Sequence, residues 1–368
     1  MKRSPAAPLL LAIDTSCDDT AASVVCGKVV LSNVVASQAQ LHKPYGGVFP
    51  TIARTAHQEN WPRVVALALK RAQLDWQDLT GIAVTIGPGL APSLEVGITA
   101  AKELAQKHQL PLIPVNHVEA HAWSVLAEAK PKNQTVAEVV KTAELPKPKF
   151  PVLAVIVSGG HTQFVRISAL GNYTILGETL DDAAGECLDK VGRMLNLGYP
   201  AGPVVEEFAK LGNPKKFPFP LPMTTAASFD LSYSGLKTHA RNLIAKLEAE
   251  KAIDQQTTYD LAASLQHGVF AHLCYKLAKL LQQVEKTDTP FTEVWLGGGV
   301  AANQMLRKTL RKTIKPFGLS LKAPYTKRLC GDNAAMIGVM GALHVAAGDV
   351  IPEPNSLQRQ PRLSLVKK

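Results

Sequence analysis

At 368 residues the chain is long for a single core and sufficient for two lobes, and its 46% hydrophobic content excludes a disordered or fibrous class. Its five cysteines, at 17, 26, 187, 274 and 330, form no Cys-x-x-Cys pair, which argues against a zinc ribbon or a disulfide framework and for a reducing cytosol. The net charge of +10 favours a polyanionic partner, nucleic acid foremost, and no stretch approaches a transmembrane span.

Met1-Lys2-Arg3 and the apolar run Pro8 to Ile13 faintly mimic a signal peptide. The run is too short and meets Asp14 at once, so it reads as a first strand. A tight polar turn, Asp14-Thr15-Ser16-Cys17-Asp18-Asp19, leads into a second strand, Thr20 to Val25. Glycine loops follow at Tyr45-Gly46-Gly47-Val48-Phe49-Pro50 and Gly87-Pro88-Gly89-Leu90. Either could be a plain turn or a place of close ligand approach. The run Pro111 to Val115 reads as a buried strand, and Asn116 as the N-cap of a helix continuing through Ala127.

That helix carries His117 and His121. Spacing i, i+4 puts both imidazoles on one face, where they can share a metal ion, although two unrelated helical histidines would look the same. A zinc protease would have Glu directly after the first histidine. Here Glu119 lies two residues from each histidine, about 200° around the helix, so it points away from any shared ion.

Residues 129–149, rich in Lys and Pro, read as a linker or surface insertion with one short helical pattern from Thr135 to Lys141. Beyond it the opening motif echoes. Pro151 to Val157 reads as a strand, Ser158-Gly159-Gly160-His161 as a tight turn, and Thr162 to Arg166 as a second strand. Each copy opens a half with strands followed by helices, which suggests a duplicated α/β lobe with a cleft between. Helices are expected at about 186–197, 203–211, 235–250 and 257–285. A strand at Glu293 to Leu296 then enters a glycine turn, Gly297 to Asn303, suited to phosphate or ribose approach. It lacks a dinucleotide fingerprint. The basic series Arg307, Lys308, Arg311 and Lys312 is a candidate polyanion surface or a solvated helix face. Near the end, Asp332-Asn333 precedes an apolar helix; either residue could cap it, or Asp332 could join the histidines as a third metal ligand. The expected domains are an N-terminal lobe over 1–128, a linker over 129–149 and a C-terminal lobe over 150–332. The helix at about 333–350 packs back on the first lobe, and 351–368 forms a basic tail.

Taken together these motifs resemble one family, that of the tRNA N6-adenosine threonylcarbamoyltransferases. The resemblance rests on Asp14 to Thr20, Ser37-Gln38, His42, Tyr45 to Pro50, Gly87-Pro88-Gly89, His117-x-x-x-His121 and Val157 to Gln163. It continues in Asp181 to Glu186, Ser232 to Thr238, Gly298 to Asn303 and Asp332-Asn333-x-Ala335-Met336, so that it spans roughly residues 9–345. It implies a two-lobed α/β fold of the actin-like, Hsp70-like and sugar-kinase-like type, with duplicated lobes and an interlobe cleft. It also implies a reaction: N6 of adenosine 37, in tRNAs reading ANN codons, attacks the carbamoyl carbon of threonylcarbamoyl-adenylate and AMP leaves. The family's metal ligands map onto His117, His121 and Asp332, for one divalent ion per chain, iron(II) favoured and zinc possible. Its donor contacts map onto Ile156, Val157, Ser158, Gly159, Gly160, Asp189, Gly202 and Asn303. Asp18 and Asp19 could deprotonate the attacking amine or position the donor, or simply form an Asx-turn. The implied partners are the tRNA anticodon stem-loop, an inactive paralogue and an ATPase, in the cytoplasm and away from membranes. The chain departs from the family at Asp14 and Asp19, where Glu is usual, and at Thr51, Ala201 and Ala334. The competing classes are a metalloprotease and a non-catalytic ATP-binding scaffold; the position of Glu119 argues against the first, and retention of the metal ligands against the second.

Overall fold

The computed structural model describes residues 7–285, 289–351 and 353–366. The basic residues Lys367 and Lys368 of the expected tail, and Met1-Lys2-Arg3, lie outside them. The chain forms two compact units, residues 1–148 with 324–368, and residues 149–323.

The first unit is built on β1 (Leu9–Asp14), β2 (Asp19–Cys26), β3 (Val29–Ser37), β4 (Gly81–Gly87), β5 (Leu112–Asn116) and β6 (Glu128–Ala129), in the order β5-β4-β1-β2-β3-β6. β1, β2 and β3 run antiparallel as a meander, while β4 and β5 add to β1 in parallel. Helices cover both faces of the central strands, so β1 reads as an unbroken apolar run rather than an alternation, and all six of its residues are buried. Alternate side chains of β1 (Leu9, Leu11, Ile13) share a core with Val64, Val65, Leu69, Leu94 and Ile98, from helices Pro50–Ala72 and Ala91–His108. The helix Ala334–Ala347 is apolar on all sides, buried along its first ten residues and packed on β1 and β2. It approaches so closely that a Cβ on Gly338 would lie 2.6 Å from Val25 Cγ2.

Residues 129–148 belong to this unit. β6 pairs with β3, Lys28 N donates to Glu144 O at 3.1 Å, and Val139, on the short helix Val136–Thr142, is buried in the unit's core. The tail is held too: Leu357 is buried, Arg359 pairs with Glu95, and Gln360 N donates to Ile86 O at 2.7 Å.

The second unit repeats the plan. β7 (Val152–Val157), β8 (Thr162–Ala169), β9 (Asn172–Glu178), β10 (Val294–Gly297) and β11 (Leu321–Lys322) are ordered β11-β10-β7-β8-β9. Again three strands form an antiparallel meander and two add in parallel. The echo between the two halves of the sequence is thus an echo of sheet topology, and the fold is of the expected two-lobed α/β class. The helices Ala184–Met194, Gly202–Ala209, Ser234–Ala249 and Gln255–Val284 lie within about two or three residues of their expected bounds.

Candidate functional site

At the end of β5 the Asn116 carboxamide oxygen accepts from Val118 N at 2.9 Å and Glu119 N at 3.2 Å, starting a helix at His117. That start fixes which residues share a face. The rings of His117 and His121 meet edge to face, with centroids 4.6 Å apart. Asp332 completes the group from 211 positions along the chain: its Oδ1 lies 3.1 Å from His121 Nε2 and 3.4 Å from His117 Nε2. The two readings of Asp332-Asn333 separate here. Asn333 is the cap, accepting from Ala335 N and Met336 N, which leaves the neighbouring carboxylate to face the histidines. The three residues offer ligand atoms all within 4.8 Å of one another and could hold a metal ion.

The electrostatics fit a cation. Burial alone would favour a neutral His117, but the carboxylates of Asp332 and Asp14 outweigh it and lift its pKa to about 10. Burial and the neighbouring His117 charge lower that of His121. Burial opposes ionisation of Asp332, yet His117 and His121 hold it well below the ordinary carboxylate range. The two carboxylates thus favour a positive charge here, which a divalent ion would supply on displacing the His117 proton.

Glu119 faces the other way, as the helix geometry requires. Its Oε2 lies 3.1 Å from His344 Nε2, and His344 Nδ1 lies 3.0 Å from Asp349. Burial would lower the His344 pKa, but these two carboxylates raise it instead. Glu119 is thus a buried tie to the helix Ala334–Ala347 and is turned away from the metal-ligand group.

The turn after β1 is held from several sides. Leu90 N donates to Ser16 O at 2.8 Å, Thr15 Oγ1 donates to Ser93 O at 2.8 Å, and Ser93 Oγ donates to Cys17 O at 3.1 Å. The His57 ring sits between Thr20 Oγ1 at 2.8 Å and Cys17 O at 3.0 Å. The Asx contact in this turn is made by Asp14, whose Oδ1 accepts from Ser16 N at 3.2 Å. Burial raises the pKa values of both Asp18 and Asp19, that of Asp19 to about 7, with the nearby Asp332 charge adding to the rise. One oxygen of Asp19 is buried without a hydrogen-bond partner among the described residues.

In the second unit the expected donor residues gather around two adjoining loops. Ile156 and Val157 are fully buried in β7, between β8 and β10, and lead directly into the turn. Ser158 Oγ accepts from Gly160 N at 3.3 Å and His161 N at 3.0 Å, closing a turn whose glycines are exposed. Ile156 pairs with Gly297, and Gly298 follows with φ +91°, where a Cβ would run into the Val157 carbonyl. Only glycine fits there. Gly185 N donates to Ser158 O, setting the helix Ala184–Met194 against the turn, and its Asp189 accepts from Gly202 N at 2.7 Å. Asn303 caps the helix Gln304–Ile314 through Leu306 N and donates to Gln266 at 2.7 Å, while Glu206 accepts from Gln304 N at 2.7 Å. Gln266 and Glu206 escaped the sequence reading because each acts through a partner dozens of positions away. Of the basic series on that helix, Lys308, Arg311 and Lys312 are exposed, whereas Arg307 is half-buried and donates to Ala301 O at 2.6 Å.

The sequence model of the tRNA N6-adenosine threonylcarbamoyltransferase family matches residues 29–339. Proteins of that name from Thermosynechococcus vestitus and Limosilactobacillus fermentum are 42% and 41% identical to this chain. The first alignment covers 97% of this chain and 96% of the relative, the second 93% and 92%. Among solved structures, HypF of T. kodakarensis superposes with a TM-score of 0.57 at 17% identity, over 93% of this chain and 48% of HypF. A full-length HypF in a phosphate- and nucleotide-bound form gives 0.54 at 12% identity, over 93% and 56%. These two share the fold.

Proposed function

The chain belongs to the tRNA N6-adenosine threonylcarbamoyltransferase family, and we propose that it transfers the threonylcarbamoyl group of threonylcarbamoyl-adenylate to N6 of adenosine 37 in tRNAs reading ANN codons. The observation that carries this reading over a protease is the group of two histidines and one carboxylate with Glu119 tied to His344 on the opposite side of the helix.

An exocyclic amine is a poor nucleophile, and a mixed carbamic–phosphoric anhydride is a good acyl donor. The protein's task is chiefly to hold the two together and to accept charge on the departing phosphate. The amine nitrogen bonds to the carbamoyl carbon, the bond to the phosphate oxygen breaks, and AMP leaves with that electron pair. Asp19, with a pKa of about 7, takes the proton lost by the amine, and Asp18 stands beside it. The Ser158-Gly159-Gly160 turn binds the adenylate, its exposed glycines letting the ligand approach the backbone closely, with Ile156 and Val157 setting the turn from β7 and Asp189, Gly202 and Asn303 completing the seat. His117, His121 and Asp332 hold one divalent ion, iron(II) in preference to zinc, since two imidazoles and a carboxylate with open positions suit it. When bound, such an ion supplies Lewis acidity to the donor oxygens. The reaction runs in the cytoplasm with an inactive paralogue and an ATPase as helpers. No helix among the described residues is long and apolar enough to cross a membrane.

The test supplies the chain with tRNA, threonylcarbamoyl-adenylate and the helper proteins, and analyses the tRNA nucleosides. N6-threonylcarbamoyladenosine at position 37 is expected, and glycoprotein cleavage is not. Proteolysis that depends on His117, with no modified nucleoside formed, overturns the reading.

Lys308, Arg311 and Lys312 form the tRNA-facing part of the helix Gln304–Ile314. A side-chain cation on a phosphate displaces counterions, so removing one such cation lowers the log–log salt slope by roughly 0.7 to 0.9. Replacing these three by neutral residues is expected to weaken tRNA binding and flatten that slope, with donor binding unchanged. Arg307 is left intact because its side chain already holds Ala301 O. Superimposable salt series for parent and variant would place the tRNA elsewhere.

A further inference from the structure

The two metal-facing histidines differ on their far sides. His117 directs Nε2 at Asp332, and its Nδ1 lies 3.6 Å from Asp14 Oδ2. Both of those facing atoms are buried and without a hydrogen-bond partner among the described residues. His121 Nδ1 is buried and unpartnered among the described residues as well, but among them no carboxylate stands opposite it. Asp14 itself has little freedom. It is the last residue of β1, paired with Ala21, fully buried, and its other oxygen accepts from Ser16 N. A buried carboxylate is costly unless it is hydrogen-bonded, and only half of this one is. The gap of 3.6 Å exceeds a hydrogen bond by about half an ångström, within reach of a small ring rotation.

We propose that Asp14 is the positioning residue of the metal centre. It receives Nδ1–H of His117, so that the tautomer with a free Nε2 lone pair is the one presented beside Asp332. A carboxylate behind a ligating imidazole fixes ring orientation and raises ligand basicity. Asp14 also opens the turn that carries Asp18 and Asp19, so the same carboxylate ties that turn to the metal ligand. The assignment rests on the metal reading of His117, His121 and Asp332.

The test is metal binding by the full chain, with neither tRNA nor donor present. Asp14→Asn has nearly the same shape but one oxygen instead of two. With that oxygen kept by Ser16 N–H, the amide faces His117 Nδ1 as a donor, which moves the imidazole proton onto Nε2 and blocks the ligating atom. Zinc affinity is expected to fall about 10- to 100-fold in Asp14→Asn. The visible absorption of the cobalt(II)-loaded variant should shift, and the metal-free melting temperature should stay near the parent's. Asp14→Glu, which keeps the carboxylate, should recover most of the affinity. Parental affinity and an unshifted cobalt spectrum in Asp14→Asn, with His117→Ala losing metal, overturns the proposal alone. Equal losses in Asp14→Asn and Asp14→Glu, with lowered metal-free melting temperatures, make Asp14 merely structural and overturn it too. A parent chain that takes up no metal overturns the metal reading itself.

Discussion

Replacing His117 and His121 together by alanine is expected to leave a folded chain that holds no metal and forms no detectable N6-threonylcarbamoyladenosine. The two imidazoles are two of the three donors within 4.8 Å of one another, and Asp332 alone is a weak site for a transition metal. Losing Lewis-acid stabilisation worth several kcal/mol corresponds to a rate loss of at least about 10²- to 10³-fold. Folding should survive, because Asn116 still caps the helix, Trp123 stays buried and Glu119 still meets His344. Elemental analysis, circular dichroism and nucleoside analysis on one preparation decide the matter. Full metal content in the double variant would refute the site, and full transfer activity without metal would refute the ion's part in the reaction.

The second large effect is expected at Asp19. Asp19→Asn should lower kcat by about 10²- to 10⁴-fold, the range for loss of a general base. The parent's pH profile is a separate readout. Burial, with the nearby Asp332 charge adding to it, raises the Asp19 pKa to about 7. A raised carboxyl pKa means that the competent, ionised form appears only as pH climbs through that value. Transfer by the parent should therefore rise with pH and level off above about 8, and this limb should vanish in Asp19→Asn. A variant that keeps both its rate and the limb would exclude Asp19 as the base and move the role to Asp18, whose pKa is also raised.

Most of what lies within one helical turn or one strand was legible in the sequence. Spacing i, i+4 put His117 and His121 on one face, and a two-residue offset turned Glu119 away, because about 100° per residue is a local property of the backbone. The apolar runs marked β1, β5, β7 and β10, since strands covered on both faces have no polar side to show. The tight turns of the echo marked a duplicated sheet plan. Whether Asp332 or Asn333 caps the helix is open in the sequence, and packing decides it by placing Asp332 beside His121, 211 positions earlier. The links from Asp14 to His117 and from Glu119 to His344 were hidden for the same reason, as were the seats of Asn303 on Gln266 and Gln304 on Glu206. Likewise Arg307 looked like one more surface cation, whereas its half-buried guanidinium rests on Ala301 O. Local geometry follows from bonded neighbours and repeats along the chain, so residue types at fixed spacing reveal it. Which carboxylate meets which imidazole depends on how strands order themselves and which helices cover them, and that is decided only when the whole core packs.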